Sequence, residues 1–106
     1  MPRASPKIIV YTTSLPTTHK IRADVERLGA LLAALALKIG IEYETVDLTQ
    51  TPHRRSEMLL ASDGNSVLPQ LHVDGKFVGS CDDVQEMEDF GELRPILLGE
   101  TPAPQA

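Results

Sequence analysis

The chain holds one cysteine, Cys81, in the stretch Gly79-Ser80-Cys81-Asp82-Asp83, which reads as a turn running into a helix. The first N–H groups of a helix have no partner inside it, and the helix dipole is positive there, so such a start can receive a carboxylate. The carboxylate of Asp82 stands beside it and suits an ammonium, so the pair would fit an amino acid zwitterion. A plainer role is open too: Ser80 or Asp82 caps the helix and nothing more. A helix start lowers a thiol pKa, while Asp82 and Asp83 push it back up. No His or Lys lies close in sequence to act as base, so no catalytic nucleophile is expected, and Cys81 is left as a regulatory or sensor thiol.

A second candidate is Pro69, inside the apolar run Val67 to Val73. Proline cannot donate to a sheet ladder, so it wants a strand edge, a bulge or a cis bond. With a cis bond, the backbone of Leu68 turns outward and can pair with an extended peptide. An ordinary trans proline at a strand start is the alternative. Other chemistries find no support. His19, His53 and His72 lack metal-ligand spacing, so no metal site is expected. No glycine-rich phosphate loop occurs. Four aromatic residues are too few for a nucleic-acid stacking platform. A net charge of −5 disfavours phosphate backbones and anionic membranes. Arg3, Lys7, Lys20, Arg22, Arg27 and Lys38 crowd the first forty residues against Asp24 and Glu26 only, and are read as a solvated helix face.

The elements that must position these residues follow from periodicity. Residues 7–12 form a short β-branched apolar run, as a buried strand does. Ile21, Val25, Leu28, Leu32, Leu35 and Ile39 line one face of a long helix that stops at Gly40. Residues 41–48 alternate and predict a second strand. Thr51-Pro52 suggests an N-cap and first turn for a helix through Met58, Leu59 and Leu60, ended by Asp63-Gly64-Asn65. Residues 67–73 predict a third strand, Asp74-Gly75 a hairpin turn, 76–78 a fourth strand, 81–90 a helix and 92–98 a last helical piece. The order β-α-β-α-β-β-α demands a parallel pair joined by a crossover and an antiparallel hairpin: an α/β fold with a mixed four-stranded sheet flanked by helices. One domain is expected over 7–98, with 1–6 and 99–106 as flexible ends. One cysteine excludes an internal disulfide. No secretory signal is apparent, and the apolar stretch 28–37 is too short to span a bilayer, which makes the cytoplasm the default location.

Taken together, "VLPQLHVDGKFVGSCDDVQEM", residues 67–87, resembles the cis-proline strand, hairpin and helix start of glutaredoxins, and hence the thioredoxin fold. That resemblance implies a cis Pro69, with the Leu68 backbone holding the cysteine of glutathione and Cys81 and Asp82 holding its γ-glutamyl group beside Ser80. The opening "VYTTSLPTTHKIRADVERL" departs from the redox enzymes. Aligning Pro16 with the proline of Cys-Pro-Tyr-Cys puts Leu15 and Thr18 where the two cysteines belong, so Ser14, Leu15, Pro16, Thr17 and Thr18 form a loop without sulfur. Thr12 and Thr13 stand in the stretch where a carboxylate-binding lysine is expected. This opening, with "IEYETVDLTQ", resembles the SH3-domain-binding glutamic-acid-rich-like proteins. Their resemblance implies a binding, adaptor or modulator module without thiol–disulfide oxidoreductase activity. No cofactor is expected, glutathione is at most a weak ligand, and the expected partner is a protein. An intact P-x-x-P motif for SH3 binding is absent. The alternatives are a glutathione-binding redox protein or sensor using Cys81, and a scaffold docking through an apolar groove at Leu15 and Leu68.

Overall fold

A computed structural model of the chain describes residues 6–100. The proposed flexible ends lie almost wholly outside the described residues. Four strands, β1 (Ile8–Thr12), β2 (Glu44–Asp47), β3 (Gln70–Val73) and β4 (Lys76–Ser80), pair in the order β2-β1-β3-β4. β1 is parallel to β2 and antiparallel to β3, and β3 is antiparallel to β4. The helices are α1 (His19–Ile39), α2 (Arg55–Ala61), α3 (Cys81–Asp89) and α4 (Leu93–Leu97). This is the expected mixed sheet and element order.

The alternation of β1 divides the core in two. Ile8 and Val10 face Leu28, Leu32 and Leu35 of α1, with Val84 of α3 and Leu93 and Leu97 of α4 in the same cluster. Ile9 and Tyr11 point to the other face and meet Val46, Leu48 and Met58 of α2. Period two in the strand thus feeds both faces, while the 3.6-residue spacing of α1 feeds one. Each fully buried leucine contributes on the order of 2 kcal/mol through apolar burial. α1 starts at Thr18, whose hydroxyl accepts the Ile21 N–H at 3.1 Å, and stops where Gly40 turns left-handed at φ 70°. Asp74 (φ 53°) and Gly75 (φ 77°) close the β3–β4 hairpin with two left-handed residues, as a type I′ turn requires.

Three expected boundaries shift. β2 begins at Glu44, not residue 41. The parallel register first engages at Ile9↔Glu44, and Ile41 and Tyr43 pack against the core from a loop that does not pair. β3 begins at Gln70, leaving Val67, Leu68 and Pro69 outside the ladder as its approach. Thr51 does not cap a helix with its side chain. Its hydroxyl donates to the Asp47 carbonyl at 2.9 Å, and a 3-10 turn, Pro52–Arg54, precedes α2. An open cleft of about 540 Å³ lies between the start of β1, the α1–β2 connection and the end of α4. That is the far end of the sheet from the residues described next.

Candidate functional site

The strand register gathers the candidate residues at one end of the sheet. Tyr11 pairs with Gln70, and Gln70 with Ser80, while Thr12 pairs with Asp47. The loop after β1 (13–18), the approach to β3 (67–69), the start of α3 and the turn after β2 therefore open on the same edge. This is where an α/β sheet usually presents a ligand site.

The Leu68–Pro69 peptide bond is cis, which decides between the two conformations left open above. Pro69 is fully buried and Leu68 half-buried. Among the described residues no hydrogen bond engages the Leu68 N–H or C=O. Backbone polar groups without a partner are uncommon away from water, and these belong to a half-buried residue at this edge.

The β1–α1 loop is held by polar bonds rather than by packing. The Ser14 N–H donates to Asp47 Oδ1 at 3.1 Å, and the Leu15 N–H to Thr13 Oγ1 at 3.1 Å. Leu15 is 69% exposed, an apolar side chain on the rim. Pro16 is half-buried, Thr17 is exposed, and Thr18 serves as the α1 cap. No sulfur lies in this loop.

At the start of α3, the Ser80 N–H and hydroxyl both reach Asp83 Oδ2 at 3.1 Å, so the capping contacts run from Ser80 to Asp83. Gly79 permits this closeness: a Cβ there would stand 2.6 Å from Asp83 Cβ. Asp82 is not free for an ammonium from outside. Its two oxygens meet Lys20 Nζ at 3.3 Å and Arg27 Nη1 at 3.4 Å, and both cations also hold Asp24, at 2.8 and 3.4 Å. Asp24, buried on α1, needs that positive charge near it. The expected solvated basic face is therefore partly committed: Lys20 and Arg27 tie α1 to α3. Sequence reading missed this cluster because its members lie up to 62 residues apart.

Cys81 is 3% exposed and packs in the α1-side core. Burial pushes its thiol pKa up; Arg27 pulls it down, and Asp24 and Asp82 add to the rise. The helix-start effect expected to lower it is outweighed by desolvation. Ligand atoms of Asp24, Cys81 and Asp82 lie within 4.8 Å of one another. Lys20 and Arg27 already supply the countercharge a cation would bring there.

A second polar network lies on the α2 side. Tyr11 donates its hydroxyl to Glu57, whose carboxylate also receives Arg54 at 2.9 and 3.0 Å; Arg54 reaches Glu44 at 2.7 Å. Arg54 and the Tyr11 hydroxyl hold Glu57 down to a pKa of about 2. His72 is 2% exposed, bonded to Gln70 at 2.9 Å, and set edge-on against Tyr11 and Phe77. Burial pushes its imidazole down to about 4, so it stays neutral. These groups join strand to helix and line no groove described above.

No protein-family model matches the chain. Among known proteins, it is 46% identical over 61 residues to bovine Glutaredoxin-3, a match covering 58% of this chain but only 18% of that protein. It is 33% identical over 71 residues to a probable monothiol glutaredoxin 2 of Rickettsia felis, covering 67% of each. The chain belongs to the glutaredoxin family. Among solved structures, a buckwheat glutaredoxin–glutathione complex superposes with a TM-score of 0.63 at 24% identity, covering 95% of this chain and 83% of that one, and so supports the thioredoxin-type fold. The chain spans about a fifth of the length of Glutaredoxin-3.

Membership in the glutaredoxin family corrects one expectation. The loop without sulfur led to a reading with no thiol–disulfide oxidoreductase activity, yet the relatives are named glutaredoxins, one of them monothiol. Leu15 and Thr18 remove sulfur from the loop, not from the chain, and Cys81 stands at the same end of the sheet. Among the described residues no helix is long and apolar enough to cross a membrane.

Proposed function

We propose that this glutaredoxin-family chain binds glutathione along Leu68, Pro69 and the start of α3, and that its thiol exchange runs through Cys81. The observation that carries the binding is the unengaged N–H and C=O of Leu68, facing the same end of the sheet as the Ser14–Thr18 loop and Ser80–Asp82. An extended peptide can pair with those two groups as an added strand does. The first-turn N–H groups of α3 receive its carboxylate. Within the family, residues 10–28 and 41–50 support a place beside the SH3-domain-binding glutamic-acid-rich-like proteins, and Leu15 and Leu68 support a protein partner on the same rim.

The exchange step follows from the sulfur available. The Cys81 thiolate attacks one sulfur of glutathione disulfide; a Cys81–glutathione disulfide forms, and one glutathione leaves as thiolate. Because Cys81 is buried with a raised pKa, the step is slow at neutral pH and needs local opening. Incubation with glutathione disulfide followed by intact-mass measurement tests it. One glutathione adduct in the wild type and none in Cys81→Ser is expected. No adduct after prolonged incubation at alkaline pH would refute the Cys81 step.

A further inference from the structure

The turn after β2 holds the β1–α1 loop through a small, closed set of bonds. Asp47, the last residue of β2, accepts the Ser14 N–H at 3.1 Å and the Thr49 N–H at 3.0 Å on the same oxygen. Thr13 Oγ1 accepts the Leu15 N–H and shares a hydrogen bond with Thr49 Oγ1 at 2.8 Å. The backbone of Asp47 is fixed in turn, because its carbonyl receives the N–H groups of Gln50 and Thr51 and the Thr51 hydroxyl. Leu15 has no burial to hold it, being 69% exposed. The direction in which the loop presents Leu15 to the groove is therefore set by Asp47 and by the Thr13–Thr49 pair. Burial works against ionising Asp47, but the Ser14 and Thr49 bonds outweigh it and hold its carboxyl below the usual range.

We propose that Asp47 is a positioning residue for the groove: it touches no ligand and fixes Ser14 and Leu15 as the wall opposite Leu68. The proposal rests on the glutathione reading above. It makes the length and the acceptor of this side chain matter, with the charge strengthening bonds that an amide oxygen would still accept.

The test compares Asp47→Ala with Asp47→Asn in the full chain. Reduced glutathione is titrated into labelled protein by NMR, and amide exchange of Ser14 and Thr49 is measured without ligand. Asp47→Ala loses both bonds, and the Ser14 bond alone, of net worth about 1 kcal/mol, predicts about fivefold weaker glutathione binding. Its Ser14 amide should exchange faster while β1 and β2 amides do not. Asp47→Asn keeps an acceptor oxygen without the charge, so its affinity should fall between those of wild type and Asp47→Ala. Wild-type affinity in Asp47→Ala, or equal loss in both variants, would overturn the proposal. If wild type binds no glutathione, the functional reading fails, and unchanged Ser14 exchange in Asp47→Ala would separately overturn the positioning role.

Discussion

Substituting alanine at Gly79 tests how the start of α3 is built. Gly79 is buried in β4, and an added Cβ would meet Asp83 Cβ at 2.6 Å, with Oδ2 at 3.2 and Cγ at 3.3 Å. A Cβ is fixed to its backbone, so no rotamer change relieves the first contact. Carbon pairs prefer about 3.5–4.0 Å, so the first turn of α3 must retreat by roughly 1 Å. Overpacking of this kind costs about 1–3 kcal/mol. The retreat also stretches the 3.1 Å bond from the Ser80 N–H to Asp83, adding a capping loss of about 1 kcal/mol. A total of about 2–4 kcal/mol lowers the melting temperature of a domain this size by on the order of 10–20 °C. Gly29→Ala is the control: that helical glycine has nothing within 4 Å of an added Cβ, and the change should stabilise by about 0.5–1 kcal/mol. Urea unfolding followed by circular dichroism reads both, with an unchanged m value. A Gly79→Ala protein within about 0.5 kcal/mol of wild type, inside the ordinary scatter of neutral surface changes, would refute the packing argument.

Other consequences concern protons. His72 is held near pKa 4, below the 6.5 of an exposed imidazole, so the unfolded chain takes up the proton first. Stability should therefore be full above about pH 6.5 and fall as pH drops toward 4, by up to about 1.4 kcal/mol per pH unit; a urea midpoint flat from pH 7 to 4.5 would contradict this. Glu57 acts in a lower window, with a folded pKa of about 2. Its contribution is present above about pH 4.5 and is lost toward pH 2, trimmed by solvent screening to under about 1 kcal/mol. The gap in stability between wild type and Glu57→Gln should accordingly close as pH falls through that range, and a gap that stays constant would count against the Arg54 and Tyr11 bonds. Iodoacetamide should label Cys81 slowly at neutral pH and faster as pH rises, because burial raises its pKa; full labelling within minutes at pH 7 would place the thiol on the surface.

Local patterns carried most of the fold. The spacing of Leu28, Leu32 and Leu35, the stop at Gly40 and the Asp74-Gly75 turn each depend on neighbours a few residues away, and each has its expected structure. Where the sequence misled, a distant partner decided. Residues 41–43 alternate like a strand, but the pairing with β1 begins only at Ile9↔Glu44. Thr51 looks like a cap, but the Asp47 carbonyl takes its hydroxyl. Asp82 looks like an open ammonium site, but Lys20 and Arg27 reach it from α1. The burial of His72, and the bonds Tyr11–Glu57 and Ser14–Asp47, have no local signature, since their partners lie 46 and 33 residues apart. The cis bond at Pro69 and the cap at Ser80 have local marks, because proline and capping residues show in sequence. A loop without cysteine does not speak for the whole chain, since relatives named glutaredoxins match it and Cys81 lies outside that loop.

An NMR titration of labelled protein with reduced glutathione tests most directly whether glutathione binds at Leu68 and the start of α3. Binding predicts shifts concentrated in residues 13–18, 67–70 and 79–84, with the α2 side of the core unmoved. No shifts at millimolar ligand, or shifts centred on the cleft at the far end of the sheet, would contradict it.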